Sequence, residues 1–298
     1  MHYIVSKYPA DGEGFGATLK SLALVKVVCG TAIVLLYNFI YMGADSDESA
    51  SEKKVLNEAK TSSPKKASRP SLSESIAELS KSSELRSLAA MVLGYNVCVE
   101  LTEVLWKGIL RKTHTSESAY MSFMAAFSQK VGIIAIILQL TASTIIKQLG
   151  WTKASQLTPL AMLLLAIPFF VTVAISKTYP NTIPLTTALT IGTWQNIVNK
   201  IVKYSLFDPC KEMAYIPLPP DAKIKGKAAI DVLGARLGRS LASGTQQILV
   251  LLSSGNILEC APYLAGIYCG TIALWLSAVR VLGKMFETKH GDIKDRKE

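Results

Sequence analysis

The 298-residue chain has no metal-ligand pattern, no phosphate-binding glycine loop and no pairing of a nucleophile with a base. Its five cysteines (Cys29, Cys98, Cys210, Cys260, Cys269) are odd in number and scattered, without CxxC or Cys/His spacing. They read as packing residues, not as disulfides or metal ligands. The three histidines, His2, His114 and His290, are peripheral and cannot form a cluster together. A GxxxxGK[ST] loop would need glycine at 221 or 233, where Asp221 and Leu233 stand, so an ATPase is unsupported. Aromatic residues are scarce, at 8%. The net charge of +10 comes with no soluble nucleic-acid module, and no nucleic-acid partner is expected.

Long apolar runs are what the chain has. Half of its residues are apolar and the mean hydropathy is +0.31. Seven runs are each about 20 residues or more, the length needed to cross a hydrocarbon core of about 30 Å. They are Leu19–Met42, Ser87–Leu110, Tyr120–Ile146, Thr158–Lys177, Ile183–Tyr204, Gly234–Ser254 and Cys260–Gly283. The sixth is the least apolar, since it holds Arg236, Arg239, Gln246 and Gln247. Seven spans divide the loops between two sides, one with 19 Lys and Arg and the other with 3. That asymmetry fits the positive-inside rule and puts the basic loops on the cytosolic side or its equivalent. The expected class is an all-α polytopic membrane protein in a lipid bilayer. Its expected parts are an N-terminal segment with the first span (1–42), a polar linker (43–86), a six-helix bundle (87–283) and a basic tail (284–298). The Ser- and Lys-rich linker reads as solvated chain. Met1–Lys20 has no signal-peptide or transit-peptide pattern. An odd span count that starts almost at once points to a fragment.

Ten basic residues fall inside these runs, and a charge in a span usually faces a cavity or pathway. Glu100, Glu103 and Lys107 are three and four residues apart and share one helix face. One Glu–Lys pair would still leave the other glutamate over. Lys26, Lys130, Lys200, Lys203, Arg236 and Arg239 outnumber the clear acids within the spans. Some cations can snorkel, as expected of Lys20, Lys177 and Arg280. The rest would line a positive interior suited to an anion such as a polyphosphate. Gln195, Asn196 and Asn199 add amides at that depth, for a polar solute or for contacts between helices. In Phe207–Pro220 the prolines argue against one continuous helix, and Lys211 and Glu212 suit an interfacial segment. Lys223, Lys225 and Lys227 follow. Gly234 and Gly238, four apart, would let the sixth helix approach a neighbour closely. Arg236 and Arg239 near its start would grip phosphates.

Four strings carry a resemblance. They are Val99 to Lys107; Leu149-Gly150-Trp151-Thr152 with Thr158-Pro159; Lys203 to Leu218; and Lys225 to Val232. With them the chain resembles the ATP/ADP translocases of plastids and obligate intracellular bacteria, and Phe207-Asp208-Pro209-Cys210 is closer to the plastid form. The likeness covers about Leu19 to Gly283 and only the second half of the family's twelve or so spans. It implies half of a major-facilitator-like transporter, not an enzyme. It also implies exchange of ATP for ADP, no cofactor beyond these substrates, and a plastid inner envelope location. A missing N-terminal half or a second copy would complete the site. It implies that Glu103 and Arg239 touch substrate or drive exchange. Family members usually carry Lys where Arg239 stands, in a Gly-Lys-Ser string. The remaining candidate site residues are Glu100, Lys107, Asn196, Lys200, Lys203, Lys211 and Arg236. Glu100 or Glu103 would hold a basic partner or bond the ribose, and both are candidates for a proton coupled to exchange, with phosphate the other companion considered. The competing readings are a half-length membrane scaffold and a carrier of another phosphorylated anion.

Overall fold

The computed structural model describes residues 14–44, 82–218, 223, 226–227, 229–230, 234–252 and 257–295, and every regular element among them is helical. Most of the expected linker, Lys225 and the end of the basic tail lie outside the described residues. The helices are α1 (Gly14–Ala44), α2 (Ser83–Thr113), α3 (Glu117–Leu149), α4 (Trp151–Thr178), α5 (Leu185–Val202), α6 (Asp208–Ala214), α7 (Ala235–Leu252) and α8 (Ala261–Asp295). Among the described residues four stretches are long and apolar enough to cross a membrane: Ser83–Thr113, Glu117–Leu149, Trp151–Thr178 and Leu258–Phe286. Ala23–Phe39 within α1 is a shorter apolar stretch. The chain divides into two compact units. One contains α1 and residues 117–125, and the other holds the remaining helices.

In the larger unit α2 is the central rod, packed against α5, α7 and α8. Ser82 starts it: the hydroxyl accepts the Leu85 N–H at 3.3 Å, which satisfies one of the free donors of the first turn. Arg111 and Lys112 in the last turn suit the negative end of the helix dipole. Leu88, Cys98, Leu101, Leu105, Trp106 and Ile109 are fully buried along it. The Trp106 indole N–H donates to Thr193 Oγ1 at 3.0 Å, tying α2 to α5. The outer faces of α3 and α4 expose Ile133, Ile136, Ile137, Leu140, Leu164 and Ile167, the residue types expected of a surface that meets acyl chains.

Small residues set the closest approaches. A Cβ on Gly192 of α5 would lie 2.5 Å from the Phe169 ring of α4 and 3.0 Å from the Trp106 ring of α2. A Cβ on Gly234 would meet Val92 at 2.8 Å, and one on Gly238 would meet Asn96 Cβ at 2.7 Å and the Leu93 carbonyl oxygen at 3.2 Å. The four-residue glycine spacing seats α7 against α2 as expected. Between α3 and α4 the chain turns on Gly150 alone, whose φ of 77° suits glycine.

Phe207–Pro220 is not one continuous helix, as its prolines argued, but Pro209 is not where the helix breaks. Lys203–Phe207 forms a π-helical turn, and α6 continues directly from it. Pro209 has no N–H to donate, and the wider turn, in which the Asp208 N–H bonds Lys203 O, takes up the mismatch. The break comes at Tyr215–Leu218 instead.

Gly238→Ala should lower the melting temperature of the detergent-solubilised protein by several degrees, since overpacking costs about 1–3 kcal/mol. Gly244→Ala on the same helix, where a Cβ meets nothing within 4 Å, should be neutral or slightly stabilising. Equal melting of wild type and Gly238→Ala would refute the close seating of α7.

Candidate functional site

Two helical stripes face each other across a cavity of about 510 Å³. On α2 the stripe is Val92, Tyr95, Asn96, Val99, Glu100, Glu103 and Lys107, each with a neighbour three or four residues away, along about 22 Å of axis. The opposing stripe runs Lys200, Lys203, Tyr204, Phe207, Asp208, Lys211, through α5, the π-turn and α6. Arg239 from α7 adds a third side. The two stripes are antiparallel: Glu103 meets Lys200 at 3.4 Å, and two turns away Tyr95 stacks on Phe207 with ring centroids 4.6 Å apart. The Trp275 ring of α8 stands edge-on to both, at 6.1 Å from Tyr95 and 5.5 Å from Phe207, so the aromatic end is rigidly packed.

Glu103 is the junction. One carboxylate oxygen takes Lys107 Nζ at 2.8 Å and the other takes Lys200 Nζ at 3.4 Å. Its side chain is 19% exposed, against 39% and 30% for the two lysines. The pairing joins α2 to α5 and keeps two ammonium groups from repelling each other. One turn further in, Lys203 bonds Asp208 at 3.4 Å. That five-residue spacing brings side chains to one face in a π-turn but not in an α-helix. Lys203 Nζ also lies 4.8 Å from the centre of the Tyr204 ring. At the far end Glu212 bridges Lys211 at 3.4 Å and Lys227 at 2.5 Å. Partial burial pushes the Glu212 carboxyl up, but its hydrogen bond to Lys227 and the nearby charge of Lys211 outweigh that and hold it below the usual carboxylate range. The lining carries five cations (Lys107, Lys200, Lys203, Lys211, Arg239) and three carboxylates (Glu100, Glu103, Asp208), an excess of two positive charges. Such a surface attracts polyanions and lets them exchange for the resident carboxylates.

Of the residues singled out from sequence, the cavity brings together Glu100, Glu103, Lys107, Lys200, Lys203, Lys211 and Arg239. It leaves out Asn196, which is buried and donates to Gly192 O at 2.9 Å and Gln195 Oε1 at 3.1 Å on its own helix. Arg236 is exposed and outside the lining, as are Lys26 and Lys130. Tyr95, Asn96, Tyr204, Phe207 and Asp208 line the cavity without having been named as site residues. Extending the Glu100–Lys107 stripe one turn toward the N-terminus would have found Asn96 and Tyr95. Among the described residues no group of His, Cys, Asp and Glu could hold a metal ion.

The model of the TLC ATP/ADP transporter family matches residues 2–286. The chain is 35% identical over 282 residues to ADP,ATP carrier protein 2, chloroplastic, of Arabidopsis thaliana, covering 93% of this chain and 44% of the relative. It is 39% identical over 234 residues to the plastidic ATP/ADP-transporter of Solanum tuberosum (76% and 37%). It is 34% identical over 283 residues to ADP,ATP carrier protein 1 of Chlamydia pneumoniae (92% and 54%). The chain thus spans about half the length of the curated relatives it matches. No solved structure matches it.

Glu103→Gln, which leaves Lys107 and Lys200 without their shared counter-charge, should destabilise the folded protein more than Glu103→Gln does in a Lys200→Met background. The coupling expected from a double-mutant cycle on a partly buried pair is about 1 kcal/mol. A coupling of zero in unfolding measurements would show that the bridge does not join α2 to α5.

Proposed function

The chain belongs to the TLC ATP/ADP transporter family, and on that premise we propose that it forms the anion-binding half of a carrier that exchanges ATP for ADP across a membrane. The observation that carries this reading is the excess of cations in a cavity between helices with apolar outer faces. Lys107, Lys200, Lys203, Lys211 and Arg239 would take the phosphates, and the relatives' names as ADP,ATP carriers support a nucleotide as the substrate. A scaffold without transport would have no use for this charge, which is costly to keep within a bilayer.

The finer parts of the proposal go with it. Seven spans would make this the second half of a major-facilitator-like transporter, with α1, α5 and α7 spanning beside the four long apolar stretches. The wall facing the cavity would come from an N-terminal half or from a second copy. Access would alternate as the two halves rock about the fixed site. ATP and ADP differ by about one charge at neutral pH, so a proton or phosphate could travel with one of them. The chloroplastic and plastidic relatives favour a plastid inner envelope membrane.

Membrane vesicles containing the full chain and loaded with ADP should take up labelled ATP, and empty vesicles should not. Glu103→Gln should abolish the exchange while the protein stays in the membrane. Arg239→Ala should raise the half-saturating ATP concentration, and Arg239→Lys should largely restore it. Uptake of inorganic phosphate with no response to ATP would replace this reading with a general anion carrier.

A further inference from the structure

The cavity holds one carboxylate that the cations do not claim. Both oxygens of Glu103 are occupied by lysines, Asp208 is held by Lys203 and Lys211 is turned to Glu212. Glu100 lies on the same α2 stripe, one turn before Glu103, and lines the cavity. Among the described residues it has no ion-pair or hydrogen-bond partner for its side chain. Its helix is nonetheless fixed at this point, since Gln246 of α7 donates to the Glu100 carbonyl oxygen at 3.1 Å.

The antiparallel register says what lies across from it. Stepping three residues from the Glu103–Lys200 pair sets Glu100 level with Lys203 and Tyr204. Lys203 is paired with Asp208 and its Nζ also lies over the Tyr204 ring at 4.8 Å, so its charge is engaged without Glu100. Tyr204, 44% exposed, lines the cavity at the same level. At this level the cavity therefore offers a hydrogen-bond acceptor and an aromatic ring that already carries the Lys203 ammonium near one face, while Lys107 and Lys200 lie toward one end, Lys211 at the other, and Arg239 on the third side.

A phosphate would not settle against an uncompensated carboxylate. An ionised carboxylate only accepts hydrogen bonds, so it selects donors. On a nucleotide the donors are on the uncharged part: the ribose hydroxyls and the exocyclic amine of adenine. Resting on the nucleotide-carrier reading above, we propose that Glu100 is a specificity-determining residue that accepts hydrogen bonds from the sugar hydroxyls or base amine of the nucleotide, with Tyr204 beside it as a ring for the base. A site built around such a bond rejects an analogue that lacks the donor far more strongly than it rejects a small change in apolar shape.

The test is competition against labelled ATP uptake into ADP-loaded vesicles containing the full chain. The competitors are ATP, 2′-deoxy-ATP, ITP (which has a carbonyl in place of the amine) and inorganic tripolyphosphate. In wild type, 2′-deoxy-ATP or ITP should compete about tenfold or more worse than ATP, and which one does so tells the sugar from the base. Glu100→Ala should erase that ratio and leave competition by tripolyphosphate unchanged. The isosteric Glu100→Gln, which keeps one acceptor, should fall between and serves if the alanine variant does not fold. An unchanged ratio in both variants overturns the assignment, as does a wild type that treats all three nucleotides alike or a variant in which only the pH profile moves. No ATP uptake by wild-type vesicles, even with a complementary half supplied, would overturn the carrier reading, whereas uptake without the ratio overturns only this assignment.

Discussion

The site depends on one carboxylate serving two ammonium groups. Glu103 reaches Lys107 on its own helix and Lys200 on the facing one, so both lysines point inward with a shared counter-charge. Removing a partner from a partly buried pair costs more than the pair is worth, because the remaining charge loses its compensation. The same reasoning explains how the cavity tolerates five cations. Each of the lysines Lys107, Lys200, Lys203 and Lys211 has a carboxylate within ion-pair distance. On the proposed reading an incoming polyphosphate would substitute for those carboxylates instead of meeting bare charge.

Close helix packing makes that geometry possible. Gly192 lets α5 approach α2 and α4, and Gly234 with Gly238 lets α7 lie on α2. The hydrogen bonds from Trp106 to Thr193 at 3.0 Å and from Asn199 to Thr102 at 3.4 Å hold the α2–α5 seam just behind the ion pairs. The π-turn at Lys203–Phe207 carries the helix on into α6, and Lys203, Tyr204, Phe207, Asp208 and Lys211 share the cavity face across Pro209. Wide turns of this kind recur at functional sites because they re-aim side chains without breaking a helix.

Much of this was legible in the chain because helical periodicity is local. Steps of three and four mark Glu100, Glu103 and Lys107 as one face, and a four-residue glycine spacing marks a close contact. What was not legible is which face meets which, and where a stripe stops. Asn196 is one turn before Lys200, yet its amide bonds its own helix and stays buried. Arg236 is about 60° around α7 from Arg239 and misses the cavity. Tyr204 and Asp208 lie four and eight residues after Lys200, on its face by helical count, but only the packing against α2 shows that this face lines the cavity. These outcomes are set by tertiary packing, which no window of sequence contains.

The central claim is that the cavity binds through phosphate charge held by cations on α2, α5, α6 and α7. Thermal stabilisation of the full chain in detergent by ATP, ADP, AMP and adenosine at equal concentration tests it most directly. The melting temperature should rise in the order adenosine, AMP, ADP, ATP, and the differences should shrink as salt is added. Equal shifts from adenosine and ATP, or no effect of salt, would contradict the account.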